Sequence, residues 1–175
     1  MKKKTLALVL ALTLLVAGVV GGTLAWLTDQ TAEVKNTFTV GDINIGLTET
    51  TADYKMVPGN TIAKDPTVTV KANSEACWLF VKVTESTDLK DFITYAIAEG
   101  WTELEAGVYY REVPASAADQ TFSVLAGDAV TVKSDVTRTM LETAKTDAPT
   151  LTFQAYAIQR DHFATADAAW AEVSK

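Results

Sequence analysis

The residues with the greatest chemical potential are scarce in this sequence. His162 is its single histidine and Cys77 its single cysteine. A zinc hydrolase needs several ligands, usually histidines with a carboxylate, and an open position for water. The H-E-x-x-H pair is absent, and His162 stands alone in "QRDHFAT". A serine triad would need His162 as its base, and no G-x-S-x-G elbow accompanies it. Cys77 as a nucleophile would need a positioned base to form its thiolate. Asp29 with Glu33, or Glu49 with Asp53, are carboxylates close in sequence that suit a hard cation, but no D-x-D-x-D-G loop frames them. No P-loop and no G-x-G-x-x-G occurs. The residues therefore predict no catalytic centre, no metal and no cofactor.

The elements that would position any site read as strands. "PTVTVKA" alternates Val68 and Val70 against threonines. "CWLFVKVTE" sets Cys77, Leu79, Val81 and Val83 on one face and Trp78 and Phe80 on the other, a strand covered on both sides for part of its length. In that setting Cys77 reads as a small buried hydrophobe. "TFTVGDINIGLTE" alternates with a change of face at Gly41-Asp42, which suggests a bulge. Ser86, Thr87 or Asp88 is placed to cap a helical turn, followed by strand over Phe92 to Ile97. "GVYYREV" follows a turn at Gly107. "TFSVLAGDAVTVKSDV" predicts two strands joined as a hairpin at Ala126-Gly127-Asp128. "TRTMLETAKTDAP" is a short helix or a long connection. "TLTFQAYAIQ" is a strand, and "TADAAWAEVSK" a final helix capped by Thr165 and docked through Ala168 or Ala169, Trp170 and Val173. About eight short strands without a βαβ rhythm predict an all-β antiparallel sandwich. Jelly-roll and immunoglobulin-like topologies both satisfy it.

The first segment reads as an export signal. Lys2, Lys3 and Lys4 precede an apolar run to Val20, and Thr23-Leu24-Ala25 gives the small-x-small pattern, with cleavage expected between Ala25 and Trp26. The alternative is a retained anchor, since Thr5 to Leu27 just reaches the roughly 20 residues that span a bilayer. Cleavage takes the three leader lysines from 15 basic residues and none from 22 acidic ones, which leaves a net charge of −10. Such a chain repels nucleic acid. The expected organisation is a signal peptide over 1–25 and one domain over 26–175.

"PGNTIAKDPTVTV" carries a further signal. Pro66 has no donor and suits the first position of a strand or an edge. Asp65 is placed to accept backbone hydrogen bonds, and Lys64 to pair with an acid on a neighbouring loop. Lys64, Asp65 and Pro66 thus form a candidate charged contact segment, within the subunit or with the next one.

Three stretches together resemble the TasA/CalY (camelysin) family of Gram-positive bacteria. The first runs from the leader end through Ala25, Leu27, Thr28, Asp29, Asn36, Phe38, Gly41, Ile43 and Ile45. The second is the Pro-Gly…Lys-Asp-Pro segment. The third is the closing "FQAYAIQRDHFATADAAWAEV". The middle of the chain matches loosely. The resemblance implies a jelly-roll domain with short helices, secretion, and assembly into extracellular biofilm-matrix fibres. It implies processing by a signal peptidase of the SipW type. It also implies donor-strand exchange: the freed N-terminus of one subunit, over 26–36, completes the sheet of the next. Trp26, Leu27 and Val34 would be its apolar anchors. Such a chain is its own head-to-tail partner, with other matrix proteins as further candidates and the membrane met only through the uncleaved leader. A monomeric surface binding module or adhesin is the first alternative, and a camelysin-like metallopeptidase the more remote one. The metalloprotease label of camelysin is not carried over, because the sequence supplies one histidine and no zinc pattern.

Overall fold

The computed structural model describes residues 42–50 and 54–175. The calls on Ala25, Trp26, Leu27 and Val34, and on Asp29, Glu33 and Asp53, lie outside the described residues. So do the leader and the part of the first strand before Asp42.

The described chain is built from short antiparallel strands with a few short helices. In order these are β1 (Ile45–Thr48), β2 (Thr61–Ala63), β3 (Thr67–Val70), β4 (Cys77–Glu85), α1 (Leu89–Phe92), β5 (Ile93–Thr94), β6 (Thr102–Glu105) and β7 (Val108–Val113). Then come β8 (Gln120–Ser123), β9 (Ala129–Val132), α2 (Arg138–Ala144), β10 (Leu151–Gln159) and α3 (Ala166–Val173). Pairing gives the sheets β1-β3-β8, β10-β4-β7-β6 and β2-β9-β5. No helix among the described residues is long and apolar enough to cross a membrane.

β4 is the centre of the fold. Its alternating residues Cys77, Leu79, Val81 and Val83 pack with Val68, Val70, Val113 and Val124 in the core between the first two sheets. Trp78 and Phe80 point the other way and are covered by Ala166, Ala169 and Trp170 of α3. A strand buried on both faces needs apolar side chains on both, which "CWLFV" supplies. Thr165 caps α3 by accepting from Ala168 N–H at 3.3 Å. The Trp170 ring lies 5.3 Å from that of Phe80 at a tilt of 40° and packs at a near right angle to Tyr156 at 5.2 Å.

Two sequence expectations change. The run from Gln120 to Val132 is not a hairpin. β8 pairs with β3, whereas β9 pairs with β2 and β5. Both halves lie along the same partner run, Thr61 to Val70. Val124 N–H donates to Pro66 O at 2.9 Å and Lys64 N–H to Asp128 O at 2.7 Å, so Ala126–Asp128 bulges out as a 3-10 turn. Gly127 at φ 66 and Asp128 at φ 50 supply its left-handed backbone. The hairpin reading failed because a Gly-Asp turn between two strands also fits a bulge within one continuous pairing. The strand over Phe92 to Ile97 shrinks to Ile93–Thr94, and Ile97 keeps a single bridge to Leu125. Phe92 is drawn instead into α1, where it is buried in a second core with Leu89, Leu125 and Val132.

Candidate strand-acceptor notch

The contact segment Lys64-Asp65-Pro66 joins β2 to β3, and each residue has a local physical reason. Pro66 has no N–H for Val124 O, which accepts Ala98 N–H at 2.9 Å instead. Lys64 is buried, with its ammonium 2.6 Å from Glu49 Oε1, 4.6 Å above the Tyr54 ring and 5.4 Å from the Phe153 ring. A buried ammonium needs a carboxylate or aromatic faces around it, and Lys64 has both. Tyr54 Oη donates to the same Glu49 oxygen at 2.7 Å, and burial and then that carboxylate push its phenol up. Asp65 accepts from the Thr50 hydroxyl and from Thr50 N–H at 3.0 Å. The hydroxyl bond first, then the backbone bond, hold its carboxyl below the ordinary value. The acid that Lys64 meets and the backbone donor that Asp65 meets thus both lie just past the end of β1. The charged segment is a clasp inside the subunit.

That clasp marks where β1 stops covering its neighbour. β1 lies along β3, with Thr48 opposite Thr67. The same partner run continues backward through β2, and beside β2 no described strand lies on the outer edge. Asn60 O and Lys64 N–H both point to the β9 side. By antiparallel alternation, Thr61 and Ala63 turn their amides and carbonyls to the open edge. The outer edge of β10 is likewise unpaired among described residues. A groove of about 690 Å³ is lined by Leu47, Met56, Ile62, Leu89, Ile93, Val130, Leu151 and Phe153, with Glu49, Tyr54 and Lys64 in its wall, and Ile62 is the one β2 residue in its lining. Leu47 is 37% exposed there. A strand edge left unpaired among the described residues, with an apolar groove near it, is suited to receive an extended segment: backbone bonds go to the edge and alternate side chains to the groove.

β7 and β8 meet differently. Arg111 of β7 lays its guanidinium 4.0 Å over Phe122 and 5.3 Å from Trp101, and Trp101 Nε1–H donates to Ser123 O at 2.9 Å. The sequence gives no sign of this contact, because a cation between two aromatics forms only when β7, β8 and the residue before β6 converge.

The chemistry-bearing residues do not converge. Cys77 is fully buried, and burial pushes its thiol up to about 11. His162 sits in a 3-10 turn, Arg160–His162, between β10 and α3. Among the described residues no three His, Cys, Asp or Glu side chains gather as metal ligands. The notch itself was missed at the sequence level, since an unpaired edge is a property of strand order. Its only signal was the Lys-Asp-Pro segment that forms its head. Comparison of the chain with family models, with curated proteins and with solved structures gives no match.

Proposed function

We propose that this chain is a secreted structural subunit of extracellular matrix fibres of the TasA/CalY kind, with a jelly-roll arrangement of its antiparallel layers and no catalytic role. The observation that carries the reading is that, among the described residues, no strand pairs with the outer edge of β2, whose Ile62 lines the apolar groove. The occupant is the segment 26–36 of a second copy, released by cleavage after Ala25 by a peptidase of the SipW type. An added strand satisfies the outward groups of Thr61 and Ala63 and buries the side chains of one face, with its anchors drawn from Trp26, Leu27 and Val34. Because donor segment and notch are different surfaces, the contact repeats head to tail and gives an open filament.

The test compares chains 26–175 and 38–175 at equal concentration by size-exclusion chromatography and negative-stain electron microscopy. Fibres from the longer chain alone support the reading. Two folded monomers would overturn it and bring forward a monomeric surface adhesin.

A further inference from the structure

Arg111 carries its charge into the fold without a charged partner. It lies on β7 opposite Leu79 of β4, and its neighbours on the same face, Tyr109 and Val113, pack into the core between the first two sheets. The guanidinium therefore enters the inner face of its sheet, where it lies 4.0 Å over Phe122 and 5.3 Å from Trp101. Among the described residues no ion pair reaches it and none of its N–H donors is hydrogen-bonded. We propose that the fork of Arg111 is a binding site for the carboxylate of a small organic acid, with Phe122, Trp101 and Gly100 as its walls. This stands independently of the fibre reading above.

The aromatic faces account for where the cation lies and not for its donors. A ring face attracts a guanidinium, but five N–H groups still call for acceptors. Arg111 Nε is buried without a hydrogen-bond partner, the one such side-chain nitrogen or oxygen among the described residues. Nη1 and Nη2 are equally unbonded and reach solvent. Burial pushes the pKa of the group down. Arginine nevertheless keeps its proton, so the charge persists and an anion is what relieves it.

Room for that anion is kept by Gly100. It has φ +87, and a Cβ there would stand 3.0 Å from Nη2 and 3.5 Å from Nη1. Trp101 spends its own N–H on Ser123 O at 2.9 Å, so it is fixed as a wall and is not a donor to the site. Glu112, next to Arg111 on β7, turns to the opposite face and pairs with Arg160 at 3.3 Å. Glu99, next to Gly100, is exposed and lies in no ion pair among the described residues.

The fork also narrows the chemistry. Two coplanar carboxylate oxygens match two of its N–H groups, and one negative charge balances one positive. The chain has a net charge of −7, and Glu99 and Glu112 adjoin Gly100 and Arg111. That field disfavours a dianion such as phosphate, and equally an acidic second copy of the chain.

Arginine-selective modification reads the fork on the unaltered mature chain in dilute solution. Phenylglyoxal adds to the terminal nitrogens of a guanidinium, and peptide masses give separate rates for Arg111, Arg138 and Arg160, the three arginines of the sequence. Acetate is the probe, exchanged for chloride at constant ionic strength. Arg111 is expected to slow several-fold and saturably, with half the effect at acetate concentrations on the order of 10 mM, the scale of two charge-assisted bonds less the cost of association. Arg138 and Arg160 should hold their rates, and phosphate should protect Arg111 less. A rate at Arg111 that ignores acetate, or that falls only in step with the other two, overturns the proposal. Equal or stronger protection by phosphate overturns the carboxylate assignment. An Arg111 that is unreactive without acetate has its fork closed by the chain itself, which also overturns the site. Arg111→Lys keeps the charge and removes the fork. Acetate is expected to raise the thermal midpoint of the parent chain and not that of the folded variant, and an equal rise in both would place the acetate elsewhere and sink the proposal.

Discussion

The Lys64 ammonium lies 2.6 Å from the Glu49 carboxylate and is almost wholly enclosed, its side chain 9% exposed against 24% for Glu49. The pair joins the end of β1 to the run that carries β2 and β3. Its tight burial makes its two halves unequal to lose. Lys64→Ala removes the charge and the aliphatic stem that packs on Tyr54 and Phe153, and leaves Glu49 without its cation. The expected loss is about 2–4 kcal/mol by urea unfolding, at the lower side of the range for broken buried pairs because Glu49 reaches solvent. The double replacement Lys64→Met with Glu49→Gln keeps volume and removes both charges, so it should recover most of that loss. A double variant as unstable as Lys64→Ala would mean that the ion pair itself, not the stranded carboxylate, governs the site.

Acid should loosen this clasp and a second one like it. Hydrogen bonds from Thr50 hold the Asp65 carboxyl below its ordinary 3.8, and the Ala72 N–H and Lys71 do the same for Asp119. A depressed carboxyl in the folded chain means that the unfolded chain takes up protons first as the pH falls. The stability these groups lend is therefore complete above about pH 4 to 5 and declines as the pH drops through 3.8 towards their folded values. Thermal melts from neutral pH to about pH 2.5 should show that decline. Asp65→Asn should be less stable at neutral pH and show a shallower fall below about pH 4. An identical acid slope in Asp65→Asn would remove Asp65 from the account.

Much of the fold is legible in the sequence because it depends on local pattern. The two-faced apolar run from Cys77 to Val81 announces a strand covered on both sides, and Thr165 announces the start of α3. The "AKDP" stretch announces a strand start with a charge to pair, and the structure supplies Glu49 and Thr50 as the partners. The partners themselves are not legible. Glu49 and Lys64 are brought together by the register of β1 on β3, and no periodicity encodes which strand lies beside which. The turn at Gly127 fails for a related reason. Its residues fit a hairpin and a bulge equally, and the choice is made by Val124 and Asp128 both bonding to the Lys64–Pro66 segment.

Glycine substitutions should separate two turns that look alike in sequence. Gly107 has φ +77, and a Cβ there would lie 2.7 Å from Val83 O, a backbone atom of the central strand. Val83 N–H in turn donates to Gly107 O at 2.7 Å, so neither chain can yield without losing that bond. Gly127 has φ +66 but open space around its Cβ position. Gly127→Ala should cost about 1–2 kcal/mol, the left-handed backbone penalty alone. Gly107→Ala should cost more, about 3 kcal/mol or above, because the clash adds to that penalty. Equal losses in chemical denaturation would show that the β6–β7 turn relaxes away from Val83.

The closing helix offers the clearest separation of packing from polarity. Trp170 rests on Phe80 and Tyr156 and donates its indole N–H to Glu105 Oε1 at 2.7 Å. α3 has eight residues, too few to hold a helix by propensity alone, so its docked face must stabilise it. Trp170→Ala should cost about 3–5 kcal/mol, the range for deleting a large buried aromatic. Trp170→Phe keeps much of the stacked area and removes the bond to Glu105, which points to a loss nearer 1–2 kcal/mol. Hydrogen exchange locates the effect. In Trp170→Ala the amides of residues 169–174 should lose protection while those of β4 facing β7 keep theirs, because the inner face of β4 is packed by Val68, Val70 and Val124 independently of the helix. If the β4 amides open together with the helix, α3 is part of one cooperative unit with the sheet and not a cover laid upon it.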